Sequence, residues 1–280
     1  MTYFRKSALW IGLVLLFFAV AGPYAGIVPK TALVIFGLCF TCELIDSGLG
    51  MGYGTILTPA LMFMGFSPWD IVPTLLLSEL LSGFTAAFFH NEVKNVDLGW
   101  GGKDLKPALI LACGSVVGVV AGVSLALTLP QDLLRMLIGC IILMSGLFVI
   151  LLSRHLIVYK HWKMLVLSAT ASFNKAISGG GYGPLVTSGQ ILSGVKGKSA
   201  VGITSFAEAF TCLLAASVFI AQGGYVNVRL LVPMCAGALI SVPFSVFAIQ
   251  KSNENQLKIV IGVLTLAMGG LTIFKALQLY

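Results

Sequence analysis

Gly48-Leu49-Gly50-Met51-Gly52-Tyr53-Gly54 and its echo Ser178-Gly179-Gly180-Gly181-Tyr182-Gly183-Pro184 decide the fold. Each lies in the middle of an apolar run of about 35 residues, Thr31 to Gly65 and Trp162 to Gly194. A helix crosses a bilayer in roughly 20 residues, so each run is too long for one span. Clustered glycines, with Pro184 after the second set, interrupt a helix. Sliding the chain against itself by 129 residues superposes the two runs without a gap. Gly50 falls on Gly179, Gly52 on Gly181, Tyr53 on Tyr182, Gly54 on Gly183, Thr58 on Thr187, Gly65 on Gly194, Val72 on Val201 and Glu79 on Glu208. A shared tyrosine and a shared intramembrane glutamate lift the match above glycine coincidence, and internal duplication follows.

The rest of the composition agrees with a membrane chain. The 280 residues are 58% hydrophobic and 10% charged, and mean hydropathy is +1.00. A soluble domain carries roughly a quarter charged residues. The apolar residues come in unbroken runs, which excludes an outer-membrane barrel and requires helices. The expectation is an all-α polytopic membrane protein of about 8–9 transmembrane segments, each repeat opening with a broken or hairpin helix at its glycine-rich motif. The further runs are Ser7 to Gly22, Pro68 to His90, Leu105 to Leu129, Leu133 to Leu152, Lys198 to Gln222, Val228 to Gln250 and Gln256 to Tyr280. Ala19-Val20-Ala21 has the look of a signal-peptidase site, but the first run is read as a retained span. Cys39, Cys42, Cys113, Cys140, Cys212 and Cys235 all sit in apolar stretches and read as packing residues.

These boundaries divide the chain into an extra helix (1–30), repeat 1 (31–152), a cytoplasmic linker (153–159) and repeat 2 (160–280). Lysine and arginine favour the cytoplasmic side of short loops. If both interrupted segments cross the membrane, seven basic residues lie inside and nine outside. If each is a hairpin, Arg5, Lys6, Lys94, Lys103, Lys106, Arg154, Lys160, Lys163, Lys196, Lys198, Lys251 and Lys258 lie inside, and only Lys30, Arg135, Arg229 and Lys275 outside. The hairpin reading leaves three full spans per repeat. An odd number inverts the second repeat relative to the first. The net charge of +7 then belongs to a surface facing anionic lipid headgroups, and no nucleic-acid partner is expected.

Inverted repeats with interrupted helices are the architecture of secondary transporters. Each break frees backbone amides and turns a positive dipole end inward. The expected binding residues for a small anion are Gly50, Gly52, Tyr53, Gly54 and Thr55 from the first break, and Gly179, Gly180, Gly181, Tyr182 and Gly183 from the second. The competing explanation is close helix packing at small residues. Glu79 and Glu208 each lie ten to eleven residues into their spans, about 15–16 Å deep in a ~30 Å core. They are expected to meet and to couple protons, or else to cap open carbonyls. Lys175 has Asp46 as its repeat counterpart. Its charge partner is Asp46, Glu43 or a bound anion, or Lys175 and Asp46 clasp the repeats together. His90, His155 and His161 are too scattered for a metal site, no cofactor is expected, and no nucleophile and base share a depth, so an enzyme is not expected.

The two glycine-rich breaks (Gly48 to Gly65 with Pro59, Gly179 to Gly194 with Pro184), Val201-Gly202-Ile203-Thr204-Ser205, and His90 followed by Asn95-Val96-Asp97 resemble the TauE/SafE sulfite exporter family. The resemblance covers about 31–280. It departs at Met51 and Tyr53, where the family's first motif usually carries glycine. It implies a bacterial or archaeal plasma-membrane transporter of sulfite, sulfoacetate or related organosulfonates, coupled to protons. The rival readings are a carrier of Na⁺ or a divalent metal, using the two glutamates and freed carbonyls, and a membrane scaffold that transports nothing. The oligomeric state stays open.

Overall fold

The computed structural model describes residues 2–21, 29–151, 161–248, 263, 266–274 and 277. The linker 153–159, His155 and most of the run Gln256 to Tyr280 lie outside the described residues. The helices are α1 (Thr2–Ala21), α2 (Pro29–Leu49), α3 (Tyr53–Phe63), α4 (Pro68–Glu92), α5 (Leu105–Thr128), α6 (Gln131–Leu151), α7 (His161–Ser178), α8 (Tyr182–Leu192), α9 (Gly197–Ala221) and α10 (Val228–Ala248). No strand occurs among the described residues. Six of the helices, α2, α4, α5, α6, α9 and α10, are long and apolar enough to cross a membrane. The protein is a multi-pass helical membrane protein.

Both over-long runs break at their glycines. Gly50 at φ +69° and Gly179 at φ +72° end α2 and α7 in the left-handed conformation that glycine adopts without strain. Their amides close the last turns on the carbonyls of Asp46 at 2.6 Å and Lys175 at 2.8 Å. The following α3 and α8 have 11 residues each, about 16 Å, half of a bilayer core.

Contacts along the seams fix the helix directions. Gly237 of α10 sits against Phe36 and Phe40 of α2, and further along Ser245 Oγ donates to the Leu44 carbonyl at 2.5 Å. Asn227, just before α10, bonds Asp70 and Thr74 at the start of α4, while Val242 and Val246 pack with Ala86 and Phe89 near its end. So α2, α4 and α10 run the same way, and α3, between α2 and α4, folds back. On the other side Gly114, Gly118 and Gly122 of α5 receive successive turns of α7. There Ser168 Oγ donates to the Leu111 carbonyl at 2.5 Å and Ser172 Oγ to the Ser115 carbonyl at 3.1 Å. Gln222 after α9 reaches Ser124 near the end of α5. Hence α5, α7 and α9 run together, opposite to α4, and α8 folds back.

Small residues let these backbones approach, as is usual where lipid supplies no hydrophobic drive. The heaviest pairings, α5 with α7 and α10 with α2, join helices from different halves of the chain. Between them α4 packs on α9. Ser199 Oγ, at the start of α9, donates to the Asn95 carbonyl just after α4 at 3.1 Å. Lys6, Lys94, Lys103, Lys106, Lys163, Lys196 and Lys198 therefore gather at the end of the bundle where α4 finishes. Lys30, Arg135 and Arg229 mark the other end. Helix α1 runs against α10, with Trp10 Nε1 donating to the Leu239 carbonyl at 3.2 Å. Its start is fixed by the Lys6–Glu92 ion pair.

Candidate functional site

The two breaks cross at the centre, and their contacts exchange. Gly54 lies against the backbone of Gly179 and Gly180, while Gly183, its counterpart 129 residues on, lies against Gly50 and Met51. Gly50 faces Thr187, and Gly179 faces Thr58. A Cβ at Gly54 would collide with the Gly179 carbonyl, and one at Gly183 with the Gly50 carbonyl. The same patch thus meets itself, the mark of a two-fold contact. Gly52 instead faces Ile45, and Gly181 faces Ser145 and Asn174.

The hydroxyls around the crossing are largely committed. Tyr53, fully buried, has its hydroxyl 2.8 Å from Ser78 Oγ. Thr55 Oγ1 donates to the Gly52 carbonyl at 3.2 Å. Thr187 Oγ1 donates to the Gly50 carbonyl at 2.8 Å and lies 2.9 Å from Thr204 Oγ1. Tyr182 is as deeply buried as Tyr53. Sequence reasoning expects two open helix ends aimed at a shared anion; here the glycines bring the two backbones into contact instead, and the Tyr53 amide donates to Asp46 Oδ1 at 3.2 Å.

The charges cluster beside this crossing. Lys175, 1% exposed, sits one turn before the second break. Its Nζ pairs with Glu79 Oε2 of α4 and, at 2.9 Å, with Glu208 Oε1 of α9. Glu79 and Glu208 each sit 11 residues after the first residue of their helix, so regular helical advance brings them level. Oxygens of Asp46, Glu79 and Glu208 lie within 4.8 Å of one another. The described ion pairs of Lys175 go to the two glutamates, whereas the sequence pointed to Asp46, Glu43 or a bound anion. Glu43 is held by hydroxyls, accepting from Ser47 Oγ, and from Ser82 Oγ at 3.0 Å.

One ammonium among three carboxylates in an apolar interior is costly unless the acids share protons or the cluster opens to water. Such a centre can exchange a proton, a cation or an anion. A three-carboxylate group of this size fits a small cation, and the Lys175 ammonium is the cation paired with two of the three.

The family model described as Sulfite exporter TauE/SafE matches residues 33–272. The chain belongs to this family. Over 248 residues this TauE/SafE protein is 27% identical to the probable membrane transporter protein YtnM of Bacillus subtilis (strain 168), covering 83% of this chain and 79% of that one. No solved structure matches it. Family and fold together make it a membrane transporter.

Sequence reasoning missed the roles of several groups around the two breaks in this TauE/SafE fold. Ser78 and Ser82 hold Tyr53 and Glu43. Thr204 joins Thr187 and also accepts from Gln190 Nε2 at 2.8 Å. His90 contacts the Ser47 carbonyl through Nε2 at 2.7 Å, and its Nδ1 accepts from Asn95 Nδ2 at 3.0 Å. The signal for the serines is their own spacing, four residues apart and so one above the other on a face of α4.

Proposed function

We propose that this TauE/SafE protein is a proton-coupled secondary transporter of small sulfur-containing anions, such as sulfite, sulfoacetate or another organosulfonate, in the plasma membrane. The observation that carries the reading is Lys175, a buried ammonium shared by Glu79 and Glu208 where the two helix breaks cross. Carboxylates and a substrate anion compete for the same cation. Protonating Glu79 and Glu208 releases Lys175 to the anion, and deprotonation returns it to the glutamates and expels the anion. Substrate oxygens meet the amides of residues 52–55 and 181–183 when the breaks part. The arrangement described above, with the breaks in contact, is the closed one.

The proposed topology is two inverted repeats, 31–152 and 160–280, with α1 as an addition and eight to nine membrane segments in all. The opposite directions of α2 and α7, of α4 and α9, and of α5 and α10 support it. The lysine-rich end then faces the cytoplasm. Alternating access would rock one repeat against the other around the crossing.

The test is thermal stability of the purified protein with sulfite, thiosulfate, sulfoacetate, sulfate, acetate, Na⁺ or Mg²⁺, at about pH 5.5 and about pH 7.5, since a ligand of the native state raises Tm by mass action. A sulfur anion should stabilise more at the lower pH, because protonated glutamates leave Lys175 free. Glu79→Gln and Glu208→Gln should keep the fold and make the stabilisation independent of pH. If both variants retain the wild-type pH dependence, the proton coupling is wrong. A second reading rests on the 4.8 Å grouping of Asp46, Glu79 and Glu208, in which Na⁺ or a divalent cation displaces the ammonium. Stabilisation by a cation and by no anion would favour it.

A further inference from the structure

A groove of about 610 Å³ opens at the lysine-rich end, between α5 and α7. Its rim carries Lys103 and Lys106, both exposed, and its wall is Leu109, Ile110, Cys113 and Leu165. Cys113 lies seven residues beyond Lys106, about 10 Å deeper along the helix. The groove therefore has a cationic mouth at the membrane surface and an apolar trough running into the bilayer. Leu109 and Leu165 are 44% and 42% exposed.

The rim is built in advance. Asp97 N–H donates to Asp104 Oδ2 at 2.9 Å, and Asp104 N–H returns a bond to the Asp97 carbonyl at 3.2 Å. Gly102 is tucked against Asp97, where a Cβ would come within 2.5 Å of its carboxylate oxygen. Neither aspartate lines the groove. Trp100 stands fully exposed on the same loop, the position of an interfacial aromatic anchor.

We infer that this groove is a binding site for one anionic phospholipid, its phosphate between Lys103 and Lys106 and an acyl chain along Leu109, Cys113 and Leu165. Charge complementarity selects the anionic headgroup, and the depth of the apolar wall selects a lipid over a free phosphate ester. The bound chain would brace the α5–α7 seam, and α7 carries Lys175 to the second break.

The experiment titrates the purified full chain in detergent with phosphatidylglycerol, phosphatidylcholine of the same chains, or sn-glycerol 3-phosphate. It reads Tm, and retained lipid by native mass spectrometry. Phosphatidylglycerol should raise Tm and stay bound, and the other two should not. Lys103→Gln with Lys106→Gln should weaken phosphatidylglycerol binding about thirtyfold, from the attraction each basic side chain adds beside anionic lipid. Lys196→Gln with Lys198→Gln, an equal charge loss on the same face, should leave it unchanged. Cys113→Phe, which fills the trough and keeps both lysines, should also abolish the shift. Equal stabilisation by phosphatidylcholine, an equal loss in the Lys196/Lys198 pair, or a full shift with glycerol 3-phosphate alone would each overturn the site.

Discussion

The two breaks share a backbone and differ in nearly everything around it. Each ends its first helix at a left-handed glycine and starts its second at a buried tyrosine. Around the first stand Glu43, Asp46 and Ser47; at the matching positions around the second stand Ser172, Lys175 and Ala176. The first also binds a carbonyl of its own to the second, through Gly50 and Thr187, whereas Thr58, the matching threonine, is buried with no partner for its hydroxyl. The two arms cross through like backbones, yet one carries the acids and the other the cation. The cation of the second arm is held by Glu79 and Glu208, which α4 and α9 bring to the crossing, and a proton on those glutamates can open that pairing.

The strongest way to break this comparison is at the contact the arms share. Gly54→Ala and Gly183→Ala each drive a methyl into the opposite backbone, and each should cost more than about 4 kcal/mol, seen as loss of monodisperse folded protein. The two effects should be equal. A large loss at one position alone would mean that the exchange of contacts does not matter energetically. Next comes the charge. Lys175→Met leaves two buried glutamates without their cation, at a cost of about 3–5 kcal/mol in Tm-derived stability near neutral pH. Because protonation relieves unpaired carboxylates, that deficit should shrink as pH falls. Asp46→Asn should show no such recovery. The finest test compares the threonines. Thr187→Val removes a donor from a buried carbonyl and should cost about 1–3 kcal/mol, while Thr58→Val should be close to neutral.

The helix breaks could be read from the chain because glycine and proline act locally. The ends of α2 and α7, at Leu49 and Ser178, fall within the first two residues of the two glycine clusters. The level of Glu79 and Glu208 was readable too, since helical rise is constant. What a single strand of residues does not carry is which surfaces meet. The glycines that free amides for a ligand are the same that let two backbones touch, and only the crossing of α2–α3 with α7–α8 chooses between them. The partners of Lys175 were illegible for a related reason. The 129-residue offset points to Asp46, yet the exchange places Lys175 beside the helices that carry the two glutamates.

The interlocking of the halves bears on how the chain is made. Helix α2 finds its main partner in α10, about 200 residues later, so the Phe36 and Phe40 face that receives Gly237 enters the bilayer long before α10 covers it. The first half must wait in lipid as a loose assembly. The second of the two ion pairs of Lys175, to Glu208, needs α9 in place, whereas the first, to Glu79, needs only α4 and α7.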